Sequence, residues 1–313
     1  MKLGLFGLGH LGKIHLKCLG DTSFEVVGFY DPKQLSGSYE GAESYMDELS
    51  LMTSIDACII AATTEQHYNL AKLALTYKVH CLVEKPITAT VEQARELADL
   101  AAASPAVITQ VGFVERYNPA FTFIQEDITA PKFIEVHRLS QFNNRGNDVS
   151  VVQDLMIHDL DLLLNVKNEP ILDIRATGVK VLTDSLDICN ARIEFADRSI
   201  ANVTASRMSM KTLRKFRIFQ EDCYFSMDLD KKESQRIGIS DKATANSMSL
   251  PVGEVEKHIS IKTSGRLEGN AIVSEQNDFY NAIINERQPQ ADFAQALKVS
   301  ELAARIEKIC SNK

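Results

Sequence analysis

No two of the six cysteines, Cys18, Cys58, Cys81, Cys189, Cys223 and Cys310, form a Cys-x-x-Cys pair, and several sit in apolar strand-like runs such as DACIIAA. That spacing excludes a disulfide framework and points to reduced, mostly buried thiols in a cytoplasmic protein. Apolar runs of membrane-spanning length are missing as well. The opening MKLGLFGLGHLGKIHLKCLG starts as a secretory signal does, but His10, Lys13, His15 and Lys17 interrupt it well short of a span. Basic residues are in deficit, with 34 Lys and Arg against 42 Asp and Glu and a net charge of −8. Neither nucleic acid nor an anionic membrane is therefore an expected partner, although a local basic pocket stays open. Internal repeats and low-complexity tracts are also absent.

What remains is the composition of an ordinary globular protein, 45% hydrophobic and 24% charged over 313 residues, a length that suits two domains better than one. In the first third, short β-branched runs alternate with helical patterns. KLGLF, EVVGFY, DACIIAA, HCLVE and AVITQVGF read as strands, with helices near 11–19, 65–77 and 90–103, the last opening on a Thr N-cap. This is the pattern of a doubly wound parallel sheet. At Asn118-Pro119 an N-capping residue precedes a proline suited to the first helical position, and the domain boundary is placed there: 1–118, then 119–313. The second part reads as a helix around 151–166, then alternating runs separated by short polar turns, as in an open, mainly antiparallel sheet of an α+β domain. Residues 242–271 look polar and pattern-poor, as in a mobile loop, and helices are expected at 273–286 and 293–311. Apolar outward positions on the second sheet suggest a homodimer or homotetramer through that face.

Gly7-x-Gly9-x-x-Gly12 follows the first strand and opens a helix, and the second strand ends in Asp31. A bare three-glycine pattern is weak, but here strand, turn, helix and second strand are all in place. One glycine makes the tight turn, the next lets backbone approach a pyrophosphate, and the third permits close helix–strand contact. Asp31 would accept hydrogen bonds from the adenosine ribose hydroxyls and repel a 2′-phosphate, so NAD is favoured over NADP; nearby Lys33 moderates that preference.

DLMIHDLD poses a different problem, because Asp154, His158 and Asp161 share one face within about 60° on a regular helix, in an otherwise apolar segment. Charges so placed need partners or a purpose. A catalytic stripe, a two-carboxylate and imidazole metal site, and a purely structural buried network all stay open, the metal reading being disfavoured because no further His or Cys cluster accompanies it. Asp159 points away from the stripe, as a surface or hinge contact. Glu84-Lys85-Pro86 ends the HCLVE strand on the carboxyl edge where ligands of such sheets bind, and the proline holds Lys85 extended.

Taken with ATTEQHYNLA, VGFVERYNPAF and DLMIHDLDLLL, these motifs resemble the Gfo/Idh/MocA family of nicotinamide-dependent oxidoreductases over nearly the whole chain. Thr63 departs from it, standing where the family commonly has proline. The resemblance implies a Rossmann domain followed by an α+β domain. Its cofactor-binding set would be Gly7, Gly9, His10, Leu11, Gly12, Asp31, Thr63, Thr64, His67, Glu84 and Lys85. It also implies catalytic roles for Lys85, His158 and Asp154: His158 as the base for a substrate hydroxyl, Lys85 stabilising the developing alkoxide, Asp154 orienting the hydroxyl or the imidazole. Within the family, the chain is most similar to the branch oxidising the 3-hydroxyl of UDP-N-acetylglucosamine-type nucleotide sugars. Arg116, Arg138 and Arg145 could serve as forks for a diphosphate, although surface solvation suits each equally well. The expected substrate-binding residues are Arg116, Asn118, Arg145, Asp154 and His158. Alternatives are a dehydrogenase or reductase of a free sugar, inositol or other small carbonyl compound, and a non-catalytic nicotinamide-binding regulator.

Overall fold

A computed structural model describes residues 1–143, 149–243 and 246–311. The chain forms two compact units, Met1–Val114 with Asn270–Glu301, and Glu115–Gly269 with Leu302–Lys313. The linear division at 118/119 therefore differs from the observed one in two ways: the break comes a few residues earlier, and a C-terminal segment returns to the first unit.

In the first unit seven strands, β1 (Lys2–Phe6), β2 (Glu25–Tyr30), β3 (Ser38–Tyr39), β4 (Ala42–Ser44), β5 (Ala57–Ile60), β6 (His80–Val83) and β7 (Thr109–Val111), lie in the order β3-β4-β2-β1-β5-β6-β7. All neighbours are parallel except β3 and β4. The near-continuous apolar strands follow from burial on both faces: Leu3, Leu5, Ile59, Ile60, Leu82 and Val83 are all inaccessible. The covering helices include α1 (His10–Leu19), α2 (Glu48–Met52), α3 (Thr64–Thr76) and α4 (Val91–Ala102), the last capped by the Thr90 side chain, which accepts from the Gln93 amide at 3.3 Å. Strand order reverses at β1, so the loop after β1 opens at the switch point where such sheets bind ligands. α7 (Ala271–Ile284) returns here because Phe279 and Ala282 complete the core over Leu16, Leu19 and Phe24. Phe24 packs tilted against Phe279 and edge-to-face against Tyr280, with ring centroids 5.9 and 5.1 Å apart.

The second unit is a nine-stranded sheet. Its strands are β8 (Phe133–Leu139), β9 (Ile171–Val179), β10 (Ile188–Phe195), β11 (Ile200–Ser206), β12 (Leu213–Gln220), β13 (Cys223–Asp228), β14 (Glu233–Ser240), β15 (Ser247–Val252) and β16 (Val255–Arg266), ordered β15-β16-β14-β13-β12-β8-β11-β10-β9. Only β8 and β11 pair in parallel. Alternation is clean: Cys189, Ala191, Ile193 and Phe195 of β10 face inward, while Asn190, Arg192 and Glu194 do not. Against β11, where Ala201, Val203 and Ala205 present a shallow surface, lie a π turn (Val152–Met156) and α6 (Ile157–Val166). α5 (Pro119–Thr122) is a single turn capped by Asn118, and α8 (Phe293–Ser311) closes the chain. On the outward face Phe133, Phe219 and Tyr224 form an aromatic row across β8, β12 and β13.

The loop expected over 242–271 is instead largely the β15–β16 hairpin, with Val252 facing Val255 across a two-residue turn in which Gly253 has φ +63°. Its strands expose side chains on both faces, Met248, Leu250 and Val252 on one and Ser249 and Pro251 on the other, so no alternation marks them. Pro251 fits because β15 is an edge strand. Among the described residues no helix is long and apolar enough to cross a membrane.

Asp187, buried before β10, accepts the amides of Val181, Leu182 and Thr183 at 2.7, 2.7 and 3.0 Å. Burial pushes its carboxyl up, but these N–H donors outweigh it and hold it at about 2. A depressed pKa stabilises the fold above the unfolded value of about 3.9 and loses that effect as pH falls. We expect Asp187→Asn to be less stable than wild type at neutral pH, with the difference closing between about pH 4 and pH 2 in denaturant titrations.

Candidate active site

Gly7 takes φ +94°, and a Cβ there would meet the Ala62 backbone at 2.6 Å. At Gly12 a Cβ would lie 2.0 Å from the Gly7 carbonyl oxygen, so α1 packs on the loop only because both positions are glycine. Gly9 is different: a Cβ would meet nothing within 4 Å, and its open face is where an anion can approach the backbone. It precedes α1 without a side-chain cap, and the first turn holds no acidic residue, which leaves the positive helix end to a ligand.

Gly7 and Gly9 line a cleft of about 740 Å³. Of the expected cofactor set, Gly7, Gly9, His10, Leu11, Asp31 and Thr63 lie on its wall; Tyr30, Gln34 and Glu48 also line it and were not read from the sequence. Asp31 Oδ2 accepts from the Leu8 amide at 2.7 Å and Oδ1 from the Lys33 amide at 2.9 Å. Each carboxylate oxygen keeps further acceptor capacity, so Asp31 can brace the glycine loop and still receive ribose hydroxyls. Thr64 begins α3, and Thr63 is its N-cap position without a side-chain cap, so the proline replacement does not disturb the helix start. His67 is buried, with Nδ1 2.9 Å from the Pro86 carbonyl oxygen and Nε2 3.1 Å from that of Ala62. A ring N–H donated to one of these carbonyls anchors the side chain against the loop after β5 or the loop after β6. This chemistry of glycines, a free helix end and an acidic residue at the β2 terminus fits a dinucleotide.

Glu84 and Lys85 follow β6, and the Lys85-Pro86 bond is cis. Lys85 is half-buried and Glu84 buried. Glu84 Oε1 lies 2.7 Å from His15 Nε2, while Oε2 accepts the Lys85 amide at 3.1 Å. Burial pushes the Glu84 carboxyl up, but the hydrogen bonds from His15 and the Lys85 amide, together with the Lys85 charge, reverse this and hold it below the usual carboxylate range. Gly112 makes room, since a Cβ there would stand 2.8 Å from the carboxyl group.

In the second unit the expected stripe divides. Asp154 lies in the π turn and is half-buried, as is His158 two residues past its end; a uniform α-helical angle does not apply across such a turn. Asp161 is fully buried and receives Arg116 Nε at 2.8 Å and Nη2 at 2.6 Å. Burial pushes its carboxyl up, the guanidinium working against that. Arg116 is therefore corrected from a substrate-binding residue to a buried structural cation, 1% exposed and turned inward. Asp161 correspondingly drops out of any ligand set with Asp154 and His158.

Asp159 is likewise corrected from a surface contact. It is 1% exposed and takes both forks of Arg138, each at 2.8 Å, while Arg138 Nη1 also reaches Glu115 at 2.8 Å. Burial raises the Glu115 carboxyl, but Arg138 and Arg214 bring it below its ordinary range. Arg138 is thus spent inside the unit and not offered to a diphosphate. Asn118, expected at the substrate, has its Oδ1 accepting from the Ala120 amide and its Nδ2 donating to Glu115 and the Leu229 carbonyl, so its side chain is a buried cap. Arg145 lies outside the described residues.

Residues 1–113 match the model of an oxidoreductase family with an NAD-binding Rossmann fold, Gfo/Idh/MocA. A UDP-N-acetylglucosamine 3-dehydrogenase of Acidithiobacillus ferrooxidans is 30% identical over 98% of this chain and 96% of its own. An inositol 2-dehydrogenase of Rhizobium meliloti is 23% identical over 59% of this chain and 61% of its own. Among solved structures, UDP-N-acetylglucosamine 3-dehydrogenase GnnA from A. ferrooxidans superposes with a TM-score of 0.88 at 27% identity, covering 100% of this chain and 98% of that one. Levoglucosan dehydrogenase in complex with NADH shares the fold, with a TM-score of 0.85 at 18% identity, covering 100% and 97%. The protein is an oxidoreductase built on an NAD-binding Rossmann fold. It belongs to the Gfo/Idh/MocA family.

Removing one partner of a buried ion pair strands the other. Asp161→Ala removes the two charge-assisted bonds that the buried Arg116 guanidinium makes to this carboxylate, and we expect a stability loss of about 3–5 kcal/mol, read from the urea midpoint.

Proposed function

We propose that this oxidoreductase uses NAD to oxidise the 3-hydroxyl of a nucleotide sugar of the UDP-N-acetylglucosamine type. The single observation carrying the substrate is the 30% identity to a UDP-N-acetylglucosamine 3-dehydrogenase across almost the full length of both chains. The preference for NAD over NADP rests on Asp31, whose carboxylate stands at the β2 end of the cleft where a 2′-phosphate would add like charge, with Glu48 on the same wall.

NAD, when bound, supplies the hydride acceptor. The proton must leave the hydroxyl oxygen for a protein group. His158, on the helix that Asp159 and Asp161 anchor, is the base in this reading, and Asp154, four residues before it, orients the imidazole or the hydroxyl. Lys85 donates a hydrogen bond to the hydroxyl oxygen and stabilises the alkoxide as charge develops, an effect worth about 3–4 kcal/mol. The outward face of the second sheet, with its Phe133, Phe219 and Tyr224 row, is the surface we assign to self-association as a dimer or tetramer.

A second reading, a dehydrogenase of inositol or a free sugar, is favoured by the inositol 2-dehydrogenases among the relatives. The two separate in one assay. UDP-N-acetylglucosamine, other nucleotide sugars, free sugars and myo-inositol are screened for reduced-cofactor absorbance with NAD and NADP in parallel. We expect turnover with UDP-N-acetylglucosamine and NAD; turnover confined to unactivated polyols would reject the nucleotide-sugar assignment. Lys85→Ala is expected to lower kcat by at least about a hundredfold, the scale for losing one preorganised donor, while calorimetric NAD affinity stays near wild type. Unchanged turnover would remove Lys85 from the mechanism.

A further inference from the structure

His15 has no place in the mechanism above, yet it is fully buried beneath the glycine loop with every polar atom of its ring in use. Its protonation pattern is fixed by a neighbour. Gln276 of α7 places Nε2 3.1 Å from the His15 carbonyl oxygen, a group that only accepts, so that nitrogen is the amide donor. The same Nε2 lies 3.0 Å from His15 Nδ1, which must then be an acceptor. The ring proton of a neutral His15 accordingly sits on Nε2 and points at Glu84 Oε1, 2.7 Å away. Glu84 completes the chain by taking the Lys85 amide on its other oxygen.

We propose that His15 and Gln276 are positioning residues for Lys85: Gln276 fixes the imidazole tautomer, His15 Nε2–H holds the Glu84 carboxylate, and Glu84 fixes the Lys85 backbone. The inference rests on the assignment of Lys85 to the reaction. It adds two residues far apart in sequence, from α1 and α7, that act only through Glu84. The titratable groups facing Glu84 are His15 from α1 and Lys85 of its own segment; from the β7 side it meets Gly112, which has no side chain.

The pH dependence follows in sign. With the imidazole donor gone, the largest group opposing the burial of Glu84 is lost, Lys85 remains, and the carboxyl rises. The carboxylate is then lost as pH falls through the raised value, and the hold on the Lys85 amide weakens with it. In His15→Leu we expect the acid limb of kcat, measured with UDP-N-acetylglucosamine and NAD, to move up by about one pH unit or more. The effect on KM is expected to be small. An infrared carbonyl band of a buried protonated carboxyl group should appear in the same pH range without substrate. His15→Gln retains an amide N–H donor and is expected to bring both readouts back toward wild type, while Glu84→Gln combined with His15→Leu should remove the infrared band.

A kcat profile and infrared titration of His15→Leu that match wild type would overturn the proposal. If circular dichroism shows His15→Leu unfolded, Gln276→Leu, which frees the tautomer, carries the test with the same expected direction and the same overturning result. Lys85→Ala separates the two levels. If it abolishes turnover while His15→Leu leaves both titrations unmoved, the positioning role alone fails; if it turns over normally, the assignment of Lys85 fails and this inference with it.

Discussion

A carboxylate removed from water is tolerable only when donors fill its lone pairs, and each unit of this protein sets its candidate catalytic residue beside such a group. Glu84 immediately precedes Lys85 and is held by a ring N–H and a backbone amide. Asp159 and Asp161 bracket the helix just after His158 and are held by two-pronged guanidinium groups. The two solutions differ physically. A neutral imidazole donor leaves Glu84 with its full negative charge next to a lysine, which is an electrostatic arrangement. The arginine forks cancel the charge of their partners and leave planar, directional bonds, which is a geometric one.

The second arrangement explains why the helix of His158 can carry so many acidic residues. α6 is apolar on most of its surface, with Ile157, Leu160, Leu162 and Leu163 all buried, so side-chain packing alone gives it little rotational preference. Two bidentate pairs at Asp159 and Asp161, to Arg138 on β8 and to Arg116 on the segment before α5, permit one rotation and one height. Replacing such pairs with apolar residues need not reduce stability, which marks their value here as orientation more than net free energy.

The sequence made the first unit legible because its signals are local. Glycines, the N-terminal turn of α1 and Asp31 fall within about thirty residues, and each has a steric or electrostatic reason that needs no distant partner. The second site was harder, because charge pattern alone does not say which way a side chain turns. Arg116 and Arg138 sit among aromatic and charged neighbours and read equally well as surface forks; only the fold shows that their acids are forty-five and twenty-one residues away. Asp159 was misread for the same reason, and the π turn broke the regular angle on which the stripe was built. The β15–β16 hairpin escaped because strands solvated on both faces carry no alternation. His15 drew notice only for interrupting an apolar run, and its partner Gln276 lies 261 residues on, within a helix whose return to the first unit has no linear signal.

These features bear on how a Rossmann unit acquires chemistry. The cofactor cradle is made almost entirely of backbone: glycines, a helix end and the amides that Asp31 ties down. Backbone can bind a dinucleotide but has no group to act on a hydroxyl. In the proposed reaction Lys85 supplies one, from the segment that follows β6. Fixing its amide to Glu84, and Glu84 to α1 through His15, attaches that lysine to the same helix whose N-terminus faces the anion site. Under the proposed function, the positions of Lys85 and of the dinucleotide are then both referred to α1.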